Sequence, residues 1–185
     1  MPADYEVSAV YLNELISITR EAGHLEAVLA KVSDGARAVV ASPWAENWHP
    51  AVYLEELGGA IVDVAGKWFF ADIAYRNLKN KFGNIVLPMM RKTLASGTAS
   101  PVLLLGNLDT SVKVAMRGFE IVWESTGEKA GTLLIIYPRP VAEHVDYSWR
   151  GVFRFIFEVF KTECTVVSFE QLEEGRVVKY TLTWK

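Results

Sequence analysis

Apolar positions recur every three to four residues through the first half of the chain and every two residues through much of the second. The first period predicts a helix over residues 8–20 (SAVYLNELISITR), with Val10, Leu12, Leu15, Ile16 and Ile18 mostly on one stripe and Gly23 breaking it. A short helix over 24–31 follows, then turn chemistry at Ser33-Asp34-Gly35 and a small element closed by Ser42-Pro43. Trp48-His49-Pro50 opens a further helix with Pro50 at its first position, where the missing N–H costs nothing. It carries Val52, Tyr53, Leu54, Leu57 and Ile61. Gly58-Gly59 in its middle costs about 1 kcal/mol per glycine relative to alanine, which a close helix crossing or a break would explain. Residues 67–80 read as another helix, with Trp68, Ala71, Ile73, Ala74 and Leu78 on one face. Residues 85–95 (IVLPMMRKTLA) make a last apolar element, with Pro88 in its first turn and Gly97 ending it.

Beyond it the period becomes two. Residues 100–106 are apolar and end in the turn Asn107-Leu108-Asp109; residues 111–117 and 118–124 alternate. Ser125-Thr126-Gly127-Glu128 turns the chain into a returning strand over 130–137. After Pro140 a helix over 150–161 crosses over, and strands 164–170 and 176–184 form a last hairpin around Glu173-Glu174-Gly175. Phe153, Ile156, Phe157 and Phe160 keep helical spacing and face the sheet, with Phe155 and Val159 on the flank. The expectation is an α+β fold in one domain over 1–185. A helical part (1–97) packs on a four- to five-stranded antiparallel sheet (98–185), with the crossover helix before the last hairpin.

The 185 residues suffice for a self-supporting core. A net charge of −3 argues against a nucleic-acid surface. Cys164 is the single cysteine, so no internal disulfide forms and a reducing cytoplasm is the expected location. The N-terminal MPADYEVSAVY has no basic, apolar leader pattern, and no apolar run reaches the ~18 residues of a membrane span.

Little in the sequence points to a reaction. His24, His49 and His144 lack metal-ligand spacing; His49 reads as a helix-start residue and His144 as solvated. Cys164 reads as a buried structural thiol. Asp146 and Arg150 are spaced as a surface ion pair, and Glu55-Glu56 and Glu173-Glu174 as solvated acids. No Gly-x-Ser-x-Gly elbow occurs and no nucleophile meets a base, so an enzyme is not expected, nor a metal site. The aromatic surplus is different: Trp68-Phe69-Phe70 cannot all face one way on a helix, so at least one ring meets a pocket or a partner.

The tract GTLLIIYPRPVAEHVDYSWRGVFRFIFEVFKTECTVV and the order of elements resemble a fold group. It joins heme nitric-oxide-binding (H-NOX) sensor domains, vinyl-reductase-type ligand-binding domains and TRAPP small subunits. The length, the Tyr-Pro-x-Pro step and the final aromatic strand also resemble a paralogous myxobacterial family. The H-NOX pattern requires an axial histidine and a Tyr-x-Ser-x-Arg motif. Tyr137 matches the tyrosine, but Arg139 and Val141 stand at the serine and arginine positions, and residues 67–97 contain no histidine. The expectation drawn from these departures is a chain without heme or other cofactor. The resemblance and the aromatic surplus together imply a non-enzymatic sensor or carrier for a small apolar or amphipathic ligand, in a homodimer. Trp68, Phe69, Met89, Met90, Phe153 and Phe157 are its candidate lining, with Tyr137 beside them and Arg139 meeting an acidic head group. The alternative is a protein–protein adaptor that dimerises through its N-terminal helices without a ligand.

Overall fold

The computed structural model describes residues 5–82 and 100–185, and Met89, Met90 and the element expected over 85–95 lie outside them. The N-terminal part is a helical layer. Strand β1 (Glu6–Ser8) leads into α1 (Ala9–Glu21), whose first turn is capped by the Ser8 hydroxyl accepting from the Tyr11 N–H. Then come α2 (Leu25–Leu29) and α3 (Asp34–Ala41). Ser33-Asp34-Gly35 is therefore a helix start rather than a turn: the Ser33 hydroxyl accepts from Ala36 N, the expected capping role of serine. Strand β2 (Trp48–Pro50), α4 (Ala51–Ala65) and α5 (Lys67–Asn77) follow, and α5 runs on as a π-helical turn over Leu78–Phe82.

The tract expected to alternate as strands from residue 100 begins as two short helices, α6 (Pro101–Gly106) and α7 (Leu108–Val112). Ser100 caps α6 and Pro101 occupies its first turn, a helix-start signal that outweighs the apolar run. Only Met116–Arg117 (β3) is extended there; β3 and β2 flank β1 in a small antiparallel sheet that the sequence reading missed.

The main sheet is antiparallel, in the order β4 (Glu120–Gly127), β5 (Ala130–Ile136), β7 (Val177–Trp184), β6 (Cys164–Leu172). The α+β architecture expected from the sequence is thus the one observed. Opposite Leu133 and Ile135 of β5 stand Tyr180 and Val178 of β7, all on the buried face. The crossover helix α8 (Val145–Val159) begins five residues before its expected start and lies on that face. Phe153 meets the Tyr180 ring edge-on at 4.9 Å, and Phe157 lies 5.5 Å from Trp184.

Two apolar cores result, one among α1–α5 and one between the sheet, α8 and the short helices α6 and α7. They are joined where α5 crosses α8 at Gly151: a Cβ there would stand 2.1 Å from the Ala71 carbonyl oxygen. Among the described residues no helix is long and apolar enough to cross a membrane.

Candidate functional site

A cavity of about 90 Å³ lies between the helical layer and the inner side of α8. Tyr5, Tyr11, Leu54, Glu55 and Phe70 line it from the N-terminal part. Leu104, Leu108, Val112 and Met116 close another side, and α8 supplies Ser148, Trp149, Val152, Phe155 and Ile156. The walls are apolar and aromatic with a few polar groups on them, the composition of small-molecule sites.

The polar groups gather at one end. The strand β5 alternation carries Tyr137 to the buried face after Leu133 and Ile135, and its N–H is held by the Arg176 carbonyl at 2.9 Å. The Trp149 indole N–H donates to the Tyr137 hydroxyl at 2.8 Å. Next in the chain, the Pro-Arg-Pro step is pinned to the last hairpin by Val141 N donating to Gly175 O at 3.1 Å. Arg139 thereby reaches Glu55 of α4 with both ends of its guanidinium, at 2.9 and 3.1 Å. The Tyr5 hydroxyl donates to the same carboxylate, and Arg139 lies 5.3 Å over the Tyr5 ring. Glu55, expected to be solvated, is instead only 13 % exposed in its side chain, because Arg139 and Tyr5 enclose it.

Burial sets the protonation of these groups. It raises the Tyr5 phenol far above its usual value, and the Glu55 charge adds to that. The Tyr137 phenol is raised by burial against the opposing effect of the Trp149 bond, and Tyr11 by burial against a Ser148 bond. All three are neutral hydrogen-bonding hydroxyls at neutral pH.

His144 is the largest departure from expectation. It was read as solvated, but it packs between α4 and α8 against the Phe70 ring, 5.9 Å away, and lines the cavity. The glycine pair of α4 makes room for it: a Cβ at Gly58 would stand 3.2 Å from its Nε2, and one at Gly59 3.3 Å from its Cε1. That nitrogen is buried without a hydrogen-bond partner. Burial pushes the imidazole below its ordinary pKa, with the carboxylate and backbone carbonyl of Glu55 and the more distant Asp63 pulling the other way. His49, expected at a helix start, sits in β2 with Nε2 against the Pro43 carbonyl at 2.8 Å.

Of the candidate lining residues, Tyr137 is on the cavity wall and Arg139 stands behind Glu55. Phe153 and Phe157 face the sheet and the outside of α8 rather than the cavity, because their helical phase is that of Tyr180 and Trp184. The three consecutive aromatics diverge. Phe70 enters the core and the cavity wall, Phe69 packs on His24, and Trp68 is 63 % exposed against Tyr147. Trp68 borders a second, open groove of about 530 Å³ between α8 and β6. There Arg154 is held by Asp72 and the Tyr75 ring, and Arg150 by a largely buried Asp146. The Cys164 thiol in this groove is pushed up to about 12 by burial, so it is inert as a nucleophile. Among the described residues no three His, Cys, Asp or Glu side chains converge as a metal site.

No protein-family model and no curated protein matches the chain. Solved structures do, over nearly its whole length. The iron(II) unliganded H-NOX protein from K. algicida superposes with a TM-score of 0.64 at 14% identity, over 96% of each chain. A structure from a study of heme distortion in the H-NOX family gives 0.62 at 12% identity, covering 96% of this chain and 95% of that one. An oxygen-binding H-NOX domain related to soluble guanylate cyclases gives 0.57 at 12%, covering 94% and 92%. The chain has the H-NOX fold, as the resemblance implied. The expectation of a chain without a cofactor is overturned by the same finding, because the neighbours that share the fold are iron and heme proteins.

Proposed function

We propose that the chain is a ligand-binding sensor domain that takes heme in the cavity between its helical layer and α8. The observation that carries this reading is the position and chemistry of that cavity: apolar rings along its length and an arginine–carboxylate pair at one end. Heme is an amphipathic ligand of this kind, an apolar macrocycle with carboxylates at one edge. The cavity residues fit it in three respects. Aromatic and aliphatic side chains wall the space. Tyr137 stands where the H-NOX pattern has its tyrosine, and it lines the cavity. An imidazole, His144, reaches the wall.

At about 90 Å³ the cavity is smaller than the ~300–1,000 Å³ of drug-sized ligand sites, so loading parts its walls. Heme iron, when bound, supplies a coordination position for a further ligand. The chain's own residues bind and exclude water. Phe70, Leu108, Val152 and Phe155 keep the interior dry, and the neutral hydroxyls of Tyr5, Tyr11 and Tyr137 hold hydrogen bonds at its polar end.

Titration of the purified apo protein with hemin, followed by absorbance, tests the reading. A saturable Soret band at one heme per chain is expected. Hemin that stays spectrally free and unbound would refute the proposal.

A further inference from the structure

We infer that the cavity, closed as it stands, is a site for a neutral apolar molecule of roughly three to four carbon atoms, a short hydrocarbon chain or ring. The inference concerns the same cavity as the heme reading but does not rest on it, since it needs neither iron nor parted walls.

The volume sets the size of the guest. Protein interiors hold few voids larger than a water molecule, because an unfilled space forfeits contacts on every side. A retained space of about 90 Å³ therefore calls for an occupant. An apolar cavity of about 150 Å³ stays dry and takes benzene or xenon. Roughly three fifths of that volume corresponds to about three or four of the carbons of benzene.

The walls decide between an apolar guest and water. Leu54 and Phe70 of the helical layer, Leu108 and Val112 of α7, and Val152 and Phe155 of α8 supply hydrocarbon. The polar groups beside them are engaged with one another. The Tyr5 hydroxyl donates to Glu55, and the Tyr137 hydroxyl accepts from Trp149 at 2.8 Å. The Ser111 hydroxyl donates to the Asn107 carbonyl at 3.1 Å, and Tyr11 pairs with Ser148. His144 Nε2 is left without a partner. One nitrogen does not hold a buried water, which typically makes about three hydrogen bonds. The space is therefore dry, and a guest gains from apolar contact alone. Phe70 belongs to one apolar core and Val152 borders the other, so a guest between them is felt by both.

The test uses the full chain without hemin, as wild type, Val152→Phe, Val152→Ile, Leu108→Ala and Trp68→Ala, with circular dichroism to verify folding. Cyclopropane and cyclohexane are the probes, read by methyl proton–carbon spectra and by melting temperature. Cyclopropane should give saturable shifts confined to the methyl groups of Leu54, Leu108, Val112, Val152 and Ile156. It should also raise the melting temperature, as a ligand of the folded state alone does. Cyclohexane should do neither in the wild type, and Leu108→Ala, which enlarges the space, should admit it. Val152→Phe fills the cavity and should abolish the cyclopropane response. Val152→Ile adds one methylene, so its weakened response reads the site should the phenylalanine variant fail to fold. Trp68→Ala, in the outer groove, should keep the wild-type response. Absence of shifts at saturating cyclopropane overturns the inference. Shifts spread over surface methyl groups, or unchanged in both variants at position 152, do the same, as do magnetisation transfers from water to the cavity methyl groups. Hemin takes no part in these measurements, so this inference and the heme reading fail separately.

Discussion

The enclosed cavity and the outer groove share a wall, α8, and both are rich in rings, yet they differ in what their polar groups do. In the groove, about 530 Å³ and open to water, each arginine of α8 already has an acidic partner, and the rings that matter are turned into the sheet core. In the cavity, about 90 Å³ and largely enclosed, one arginine–carboxylate pair, three buried phenols and an unpartnered imidazole nitrogen meet an apolar wall. Size alone would select the groove. Enclosure and the unpartnered His144 nitrogen select the cavity, because a polar group gains most from a ligand where water does not compete.

The strongest way to break this comparison is to disrupt the helix that both spaces share. Gly151→Val would push a side chain into the Ala71 carbonyl and cost about 3 kcal/mol or prevent folding, as urea denaturation would read. Next, Trp149→Phe removes the donor to the buried Tyr137 hydroxyl. The expected loss, by the same denaturation, is about 1–3 kcal/mol, the cost of leaving a buried acceptor unpaired.

A smaller effect separates His144 from the exposed acids of the groove. Its pKa is lowered in the fold, so below the ordinary value of 6.5 the unfolded chain binds a proton that the folded chain resists. Its contribution to stability is therefore complete above pH 6.5 and is lost as pH falls through the window below it. Glu55 and Asp63, the carboxylates that act on it, narrow that window without reversing it. The melting temperature of His144→Gln should fall less between pH 7.5 and 5 than that of the wild type. An equal slope would show that the ring is hydrated. The smallest effect is reserved for Trp68→Ala in the groove. It should change stability by about 0.5 kcal/mol or less and leave hemin binding unaltered, since the ring is 63 % exposed.

Local features were legible in the sequence where the chain's own period decided the structure. The β5 alternation, the hairpin around Glu173-Glu174-Gly175 and the helices α1, α4 and α5 all follow from spacing. The sequence was misread where a cap overrode an apolar run, as at Ser100-Pro101, and where strands were too short for any period, as at Glu6–Ser8 and Trp48–Pro50. Val10, counted on the apolar stripe of α1, is 38% exposed because its helical phase turns it away from the buried Leu12, Leu15 and Ile16. The candidate site was less legible. Tyr137 and Arg139 stand out beside their prolines. Glu55 and His144 look like ordinary polar residues, since their burial comes from the contact of α4 with the start of α8. The trace of that contact is Gly58-Gly59, two weak helix formers kept in mid-helix because an imidazole and a phenyl ring lie against them.

The crossing at Gly151 also has a mechanical meaning. Side chains at a helix contact act as springs, because rotamers yield before backbones do. At Gly151 there is no spring between α5 and α8: backbone rests on backbone at the Ala71 carbonyl. A displacement of α5 passes to α8, and through Phe153 and Phe157 to the sheet, with little lost on the way. The seam is a rigid coupling between the two cores.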